Sequence, residues 1–232
     1  MMSRIIFLTL SILMGGLNLQ ANILSVSDFS SGLDGWEPNN PWTTNTAGGI
    51  TPSNPYLQMV VGDFGTRGSK LITFNSTSNW VGNFLSQGVN GVSFDIRNWS
   101  DSDTVYARVV IGNRANPQQT GGSWWISKTA VVIDPLSSWE SVFLSISEED
   151  MQRVGNLMGE LGTDSWESTL SNIQGFRILS SIIGSAPNGD EFFGTVGIDN
   201  ITLYAIPEPA LTAVAMALIS LLLFTRRLKS KS

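Results

Sequence analysis

The chain has no histidine and no cysteine. Imidazole catalysis near neutral pH, the Ser-His-Asp triad, thiolate chemistry, disulfides and nearly all zinc and non-haem iron sites are therefore excluded together. Carboxylates remain. A pair of them can hydrolyse a glycoside when set about 5 to 9 Å apart, and Asp63 with Asp95, or Asp101 with Asp103, are the pairs to consider. Neither pair sits in a recognisable catalytic motif, so the expectation is a non-enzyme. The chain has 8 tryptophans. Trp124-Trp125, with Arg108, Asn113, Arg114, Gln118 and Gln119 near it in sequence, combines indole faces that stack with groups that hydrogen-bond. Trp42, Trp80 and Trp99 lie among polar turn residues and form a second rank. Neighbours on a strand point to opposite faces, so at most one of Trp124 and Trp125 is free to stack.

Charge narrows the partners. Between Asn22 and Ile206 lie 8 of the 13 basic and 18 of the 19 acidic residues, a formal net charge of −10. Such a surface repels nucleic acid and anionic lipid, which leaves a calcium ion or a neutral glycan as the expected partner.

The elements that must position these groups read as short strands. Turn residues recur about every ten positions, separating runs rich in Val, Ile, Phe, Tyr, Trp and Thr, as an all-β sandwich requires. Strands are predicted at 23–29, 56–61, 70–74, 91–97, 105–112, 124–127, 130–133, 139–145, 175–180 and 195–204. Val92, Phe94 and Ile96 alternate with Ser93, Asp95 and Arg97, the mark of a half-buried strand. The phase breaks near Asp199-Asn200, which predicts a bulge in the last strand. Ser147, followed by Glu148, Glu149 and Asp150, predicts a capped helix ending near Gly155. A second helical turn is expected over 166–170.

Both ends read as addresses. Arg4 precedes an apolar run over 5–19, and Ala21 supplies a small residue at a cleavage position, so 1–21 is expected to be a signal peptide removed by signal peptidase. At the other end Pro207-Glu208-Pro209 leads into an uncharged apolar stretch from Ala210 to Thr225 and then Arg226-Arg227-Leu228-Lys229. By the positive-inside rule this holds the body outside the inner membrane. The order of Pro-Glu-Pro, hydrophobic helix and basic end over 206–232 resembles the bacterial PEP-CTERM sorting signal. The resemblance implies transient anchoring in the inner membrane through a transmembrane helix, cutting near Pro207–Pro209 by an exosortase, and a place at the cell surface or in an extracellular matrix rich in exopolysaccharide, as in a biofilm.

The body, 22–205, carries a second resemblance. Asp28-Phe29-Ser30-Ser31-Gly32-Leu33-Asp34-Gly35-Trp36, Gly91-Val92-Ser93-Phe94-Asp95-Ile96-Arg97 and Gly197-Ile198-Asp199-Asn200-Ile201-Thr202-Leu203, in that order, resemble the galactose-binding-like and carbohydrate-binding-module jelly rolls. This implies an all-β fold of two packed antiparallel sheets of four or five strands each, with Trp36 and Trp139 in the core. It implies glycan binding by Trp124 or Trp125, Arg108 and Trp99. It also implies a structural Ca²⁺ at Asp199, with Asp28 or Asp34 completing the site, although Ser30 stands where such modules carry an acidic residue.

Overall fold

The structure is a computed structural model and describes residues 21–38, 43–62 and 69–206. Residues 1–20 and 207–232, where a leader and a sorting signal are expected, lie outside the described residues, as do Trp42 and Asp63. Among those described, no helix is long and apolar enough to cross a membrane. The compact unit is Ile23–Ala205.

Thirteen strands and two short helices make up this unit: β1 (Asn22–Ser27), β2 (Trp36–Pro38), β3 (Thr43–Ala47), β4 (Pro55–Val61), β5 (Ile72–Asn75), α1 (Phe84–Gln87), β6 (Gly91–Asn98), β7 (Val105–Gly112), β8 (Trp124–Ser127), β9 (Val131–Ile133), β10 (Glu140–Ser145), β11 (Met151–Val154), α2 (Trp166–Leu170), β12 (Gly175–Ser180) and β13 (Gly194–Ala205). They form two sheets. One runs β10-β6-β13-β4-β3, with β1 also on β13; the other runs β11-β8-β7-β12-β5-β2, with β9 also on β7. Every pairing along these two paths is antiparallel. The sheets therefore hold six and seven strands, more than the four or five expected. The additions β2, β3 and β11 are short or polar, and their alternation is too brief to stand out.

The predicted alternation sets the inner faces. Val92, Phe94 and Ile96 of β6 meet Leu57 and Met59 of β4 and Ile198 and Leu203 of β13 in one core. From the opposing sheet come Val105, Ala107, Val109 and Ile111 of β7, and Phe176 and Ile178 of β12. At its centre the rings of Trp36 and Trp80 stand 5.0 Å apart, edge to face, and each approaches Phe176, at 6.1 and 5.5 Å. Trp36 Nε1 donates to Ser27 Oγ at 3.0 Å, so the buried indole keeps its hydrogen bond. Trp36 is core, as expected. Trp80, placed by sequence among exposed turn residues, is core too.

Trp139 lies elsewhere than expected. It is half-buried on the outer face of the six-stranded sheet, over Gly197. There it packs edge to face on Trp99 at 5.7 Å and on Tyr56 at 5.3 Å. The helix expected after Ser147 is also replaced. Ser147 Oγ does accept from Asp150 N, at 3.1 Å, but the turn closes after one cycle. The chain then becomes β11, because Met151 and Val154 are buried on opposite faces of a strand paired with β8. The expected turn at 166–170 is α2, capped by Ser165 Oγ accepting from Ser168 N. The bulge is present: the β13–β6 register shifts between Asp199 and Thr202, and Asn200 takes φ +49°.

The seven-stranded sheet is buried on its outer face as well. Ile72, Val110, Trp124, Ile126, Val154 and Leu179 form a second apolar cluster there. Trp124 lies over Gly112 so closely that a Cβ at 112 would stand 2.4 Å from Trp124 Cε3. Gly112→Ala is expected to lower unfolding stability by about 1–3 kcal/mol through overpacking. A urea titration following tryptophan fluorescence checks this, and an unchanged midpoint would contradict the stacking.

Candidate functional site

The outer face of the seven-stranded sheet carries a concavity. Ile72 and Phe74 of β5 and Arg177 of β12 form its floor, at alternate positions to the core-facing Thr73, Phe176 and Ile178. The β7–β8 loop contributes Ala115, Asn116, Pro117 and Gln118 to its walls, and Leu157, Lys70 and Asn188 complete the lining. The cavity measures about 440 Å³. A second, of about 500 Å³, shares Lys70, Leu157 and Asn188 with it and adds Asn156 and Asp190, so the two form one continuous groove.

The walls are fixed by hydrogen bonds between loops. Leu157 N donates to Pro117 O at 2.9 Å, and Asn156 Nδ2 donates to Gln119 O at 3.2 Å, which ties the β7–β8 loop to the turn after β11. Lys70 Nζ donates to Gly189 O at 2.7 Å, tying the start of β5 to the β12–β13 loop. Asn116 Oδ1 accepts from Gln118 N at 2.9 Å, which fixes the position of this lining side chain.

Arg177 is only 8% exposed. Its guanidinium lies over the rings of Phe74 and Trp124, at 5.3 and 5.4 Å from their centroids. Its one protein acceptor is Pro187 O, 3.5 Å from Nη1, and Nε is buried without any partner. Burial pushes the guanidinium pKa down to about 10.

The tryptophans expected to stack on sugars are otherwise engaged. As adjacent strand residues they do face opposite ways, but both are covered. Trp124 is 0% exposed beneath the β7–β8 loop, and Trp125, 7% exposed, packs in the core edge to face with Trp166 at 5.0 Å. Trp125 Nε1 donates to Thr169 Oγ1 at 3.3 Å, and Arg153 covers its ring at 5.0 Å. Arg108 is a clamp rather than a contact: it donates to the carbonyls of Ser127, Lys128, Ser181 and Ile182. Asn113 is held likewise, donating to Asp164 Oδ2 and accepting from Ser123 N. Trp99 is half-buried on the other sheet, between Tyr56 at 5.6 Å and the guanidinium of Arg97 at 4.8 Å. Of the residues named from sequence, Gln118 alone lines the groove. Arg177, Lys70, Asn116 and Asn188 were missed; the usable signal was a basic residue inside the apolar run Gly-Phe-Arg-Ile-Leu of a strand buried on both faces.

Asp199 and Asp28 belong to two separate hydrogen-bonded turns. Asp28 Oδ1 accepts from the N and Oγ of Ser30, at 3.0 and 2.7 Å. Asp34, the alternative partner, accepts from Phe29 N through Oδ2 at 3.0 Å. Asp199, 0% exposed, accepts from Asn54 Nδ2 at 2.6 Å, from Asn200 N at 2.8 Å and from the Ile50 backbone. Ca²⁺ takes six to eight oxygen ligands, whereas both Asp199 oxygens already accept N–H donors, and the nearby Asp95 carboxylate accepts from Asn200 Nδ2 and Ser141 Oγ. Among the described residues no three His, Cys, Asp or Glu side chains gather as a metal site.

No protein-family model and no curated protein matches this chain. Solved structures share its fold. CtCBM11, known in solution, superimposes with a TM-score of 0.51 at 17% identity, covering 83% of this chain and 99% of that one. The CBM22-1 xylan-binding domain of Xyn10C from Paenibacillus barcinonensis does so with a TM-score of 0.51 at 13% identity, again covering 83% and 99%. The body thus has the jelly-roll fold of carbohydrate-binding modules.

Burial pushes the Asp199 carboxyl above its ordinary 3.8, its hydrogen bonds only partly offsetting this. The native state therefore holds this proton more tightly than the unfolded chain, and the associated stability is lost as pH rises above about 4. In thermal melts, Asp199→Asn is expected to gain on wild type progressively from pH 3.5 to pH 7. A difference that falls over that range would show that the hydrogen bonds outweigh burial.

Proposed function

We propose that this chain is an exported, non-catalytic protein that binds polysaccharide in the groove on the outer face of its seven-stranded sheet. The groove itself carries the reading. Its walls are pinned by loop-to-loop hydrogen bonds, and its lining gathers Asn116, Gln118 and Asn188 with the Phe74 ring. Amides pair with sugar hydroxyls, and an aromatic ring offers an apolar face to a pyranose. The xylan-binding domain that shares this fold is consistent with such use. Hydrolysis by paired carboxylates is not supported, because the groove floor carries none and the adjoining cavity contributes Asp190 alone among the described residues.

In this reading signal peptidase removes residues 1–21, the apolar stretch Ala210–Thr225 holds the chain transiently in the inner membrane, and an exosortase cuts near Pro207–Pro209. The body then resides at the cell surface among exopolysaccharide. The Pro-Glu-Pro, hydrophobic and basic order of 206–232 supports that course.

Two measurements test the proposal. In affinity gels cast with a panel of extracellular polysaccharides, the full chain in non-ionic detergent is expected to be retarded by at least one. The double variant Asn116→Ala/Asn188→Ala is expected to weaken binding about tenfold, as loss of one or two hydrogen bonds predicts. Phe143→Ala, on the outer face of the other sheet, should leave it unchanged; retardation by no glycan would refute the binding role. Separately, residues 206–232 fused to an exported reporter should be cut in a strain with an exosortase and remain whole in a strain without one. Equal processing in both strains would remove the sorting claim.

A further inference from the structure

We propose that the polysaccharide bound in this groove is acidic, and that Arg177 and Lys70 recognise an oxyanion substituent on it, a uronate carboxylate or a sulfate ester. The inference rests on the groove being the binding site and specifies what it selects. Its foundation is a contrast between two arginines on the same face of adjacent strands. Arg108 of β7 has its donors committed to four backbone carbonyls. Arg177 of β12, equally buried, has a single 3.5 Å contact for five N–H donors. A buried charge without a partner is costly, typically several kcal/mol, and the rings of Phe74 and Trp124 offset only part of that.

The surroundings do not supply the missing partner. No carboxylate lines the 440 Å³ cavity, and Arg177 forms no ion pair among the described residues. Lys70 sits where the two cavities join, and its ammonium has two N–H bonds beyond the one to Gly189 O. Arg177 and Lys70 thus outnumber the single carboxylate of the joined cavities, Asp190, whose Oδ2 already accepts from Ser181 Oγ and Ile182 N, on a body whose formal charge is −10 between Asn22 and Ile206. The overall charge argues for a neutral glycan; the groove locally reverses it. A planar carboxylate or a sulfate accepts two N–H bonds from a guanidinium at once, which a hydroxyl cannot do.

The test compares polygalacturonate, a sulfated galactan and an uncharged galactan as ligands for the full chain in non-ionic detergent. At least one charged polymer is expected to bind at least tenfold more tightly than the uncharged one, and which of them does so separates carboxylate from sulfate. That affinity should fall as NaCl rises from 20 to 300 mM. Arg177→Met is expected to reduce it at least tenfold and Arg177→Lys to restore it in part. Lys70→Ala, at the half-buried rim, should reduce it severalfold and keeps the test open if Arg177→Met does not fold. Equal affinity for the uncharged polymer, or full binding of the charged ones by a folded Arg177→Met, overturns the proposal. If the uncharged polymer binds and Asn116→Ala/Asn188→Ala abolishes it, the groove reading survives while the acidic specificity falls. If none of the three binds, both fall.

Discussion

Burial of the seven-stranded sheet on both faces is the constraint on which the rest of this molecule depends. With no disulfide possible, cohesion must come from packing, and a two-layer sandwich usually provides one buried face per sheet. Here the inner faces meet around Trp36, Trp80 and Phe176, while the β7–β8 loop and the segments after β11 and β12 fold over the outer face. Gly112 and Gly175 leave room for Trp124 to lie flat on the sheet. Indole, loop and strand thereby lock one another, and the groove inherits a floor that is part of a packed layer rather than an exposed surface.

That same covering decides which side chains are available. A tryptophan under a loop is a structural plate, and an arginine ringed by carbonyls is a rivet. Arg108 and Trp124 serve these roles, and Asn113 and Ser123 extend the network to Asp164, whose carboxyl is held below its usual range by hydrogen bonds from Asn113 and Ser123. The polar groups left over on this face are those of the groove: the amides of the β7–β8 and β12–β13 loops, the Lys70 ammonium and the Arg177 guanidinium.

Much of the sandwich was legible in the sequence because strands such as β6, β7 and β12 alternate or run apolar over six to eight residues between clear turn signals. Even the bulge at Asp199-Asn200 showed as a slip of phase. The short strands β2, β3 and β11 did not, since three to five residues carry no measurable period. The helix expected after Ser147 failed because a capping serine and acidic residues favour a first turn without compelling a second, and pairing of Met151–Val154 with β8 prevailed. The site was less legible still. Sequence proximity gathered Trp124, Trp125 and Arg108, but which face is roofed by a loop depends on contacts between segments some forty residues apart, as with Gln119 and Asn156. Residues 70, 116, 177 and 188 converge only in three dimensions.

The last strand, β13, lies inside its sheet, flanked by β6 on one side and β4 on the other. Until Gly194–Ala205 has emerged, both of these neighbours have a bare edge, and the six-stranded layer exists only as the separate pairs β3–β4 and β6–β10. Closure therefore waits for β13, and a chain truncated before that strand would display two sticky borders to any other copy. A polypeptide organised in this way keeps its six-stranded layer open until its last strand is in place.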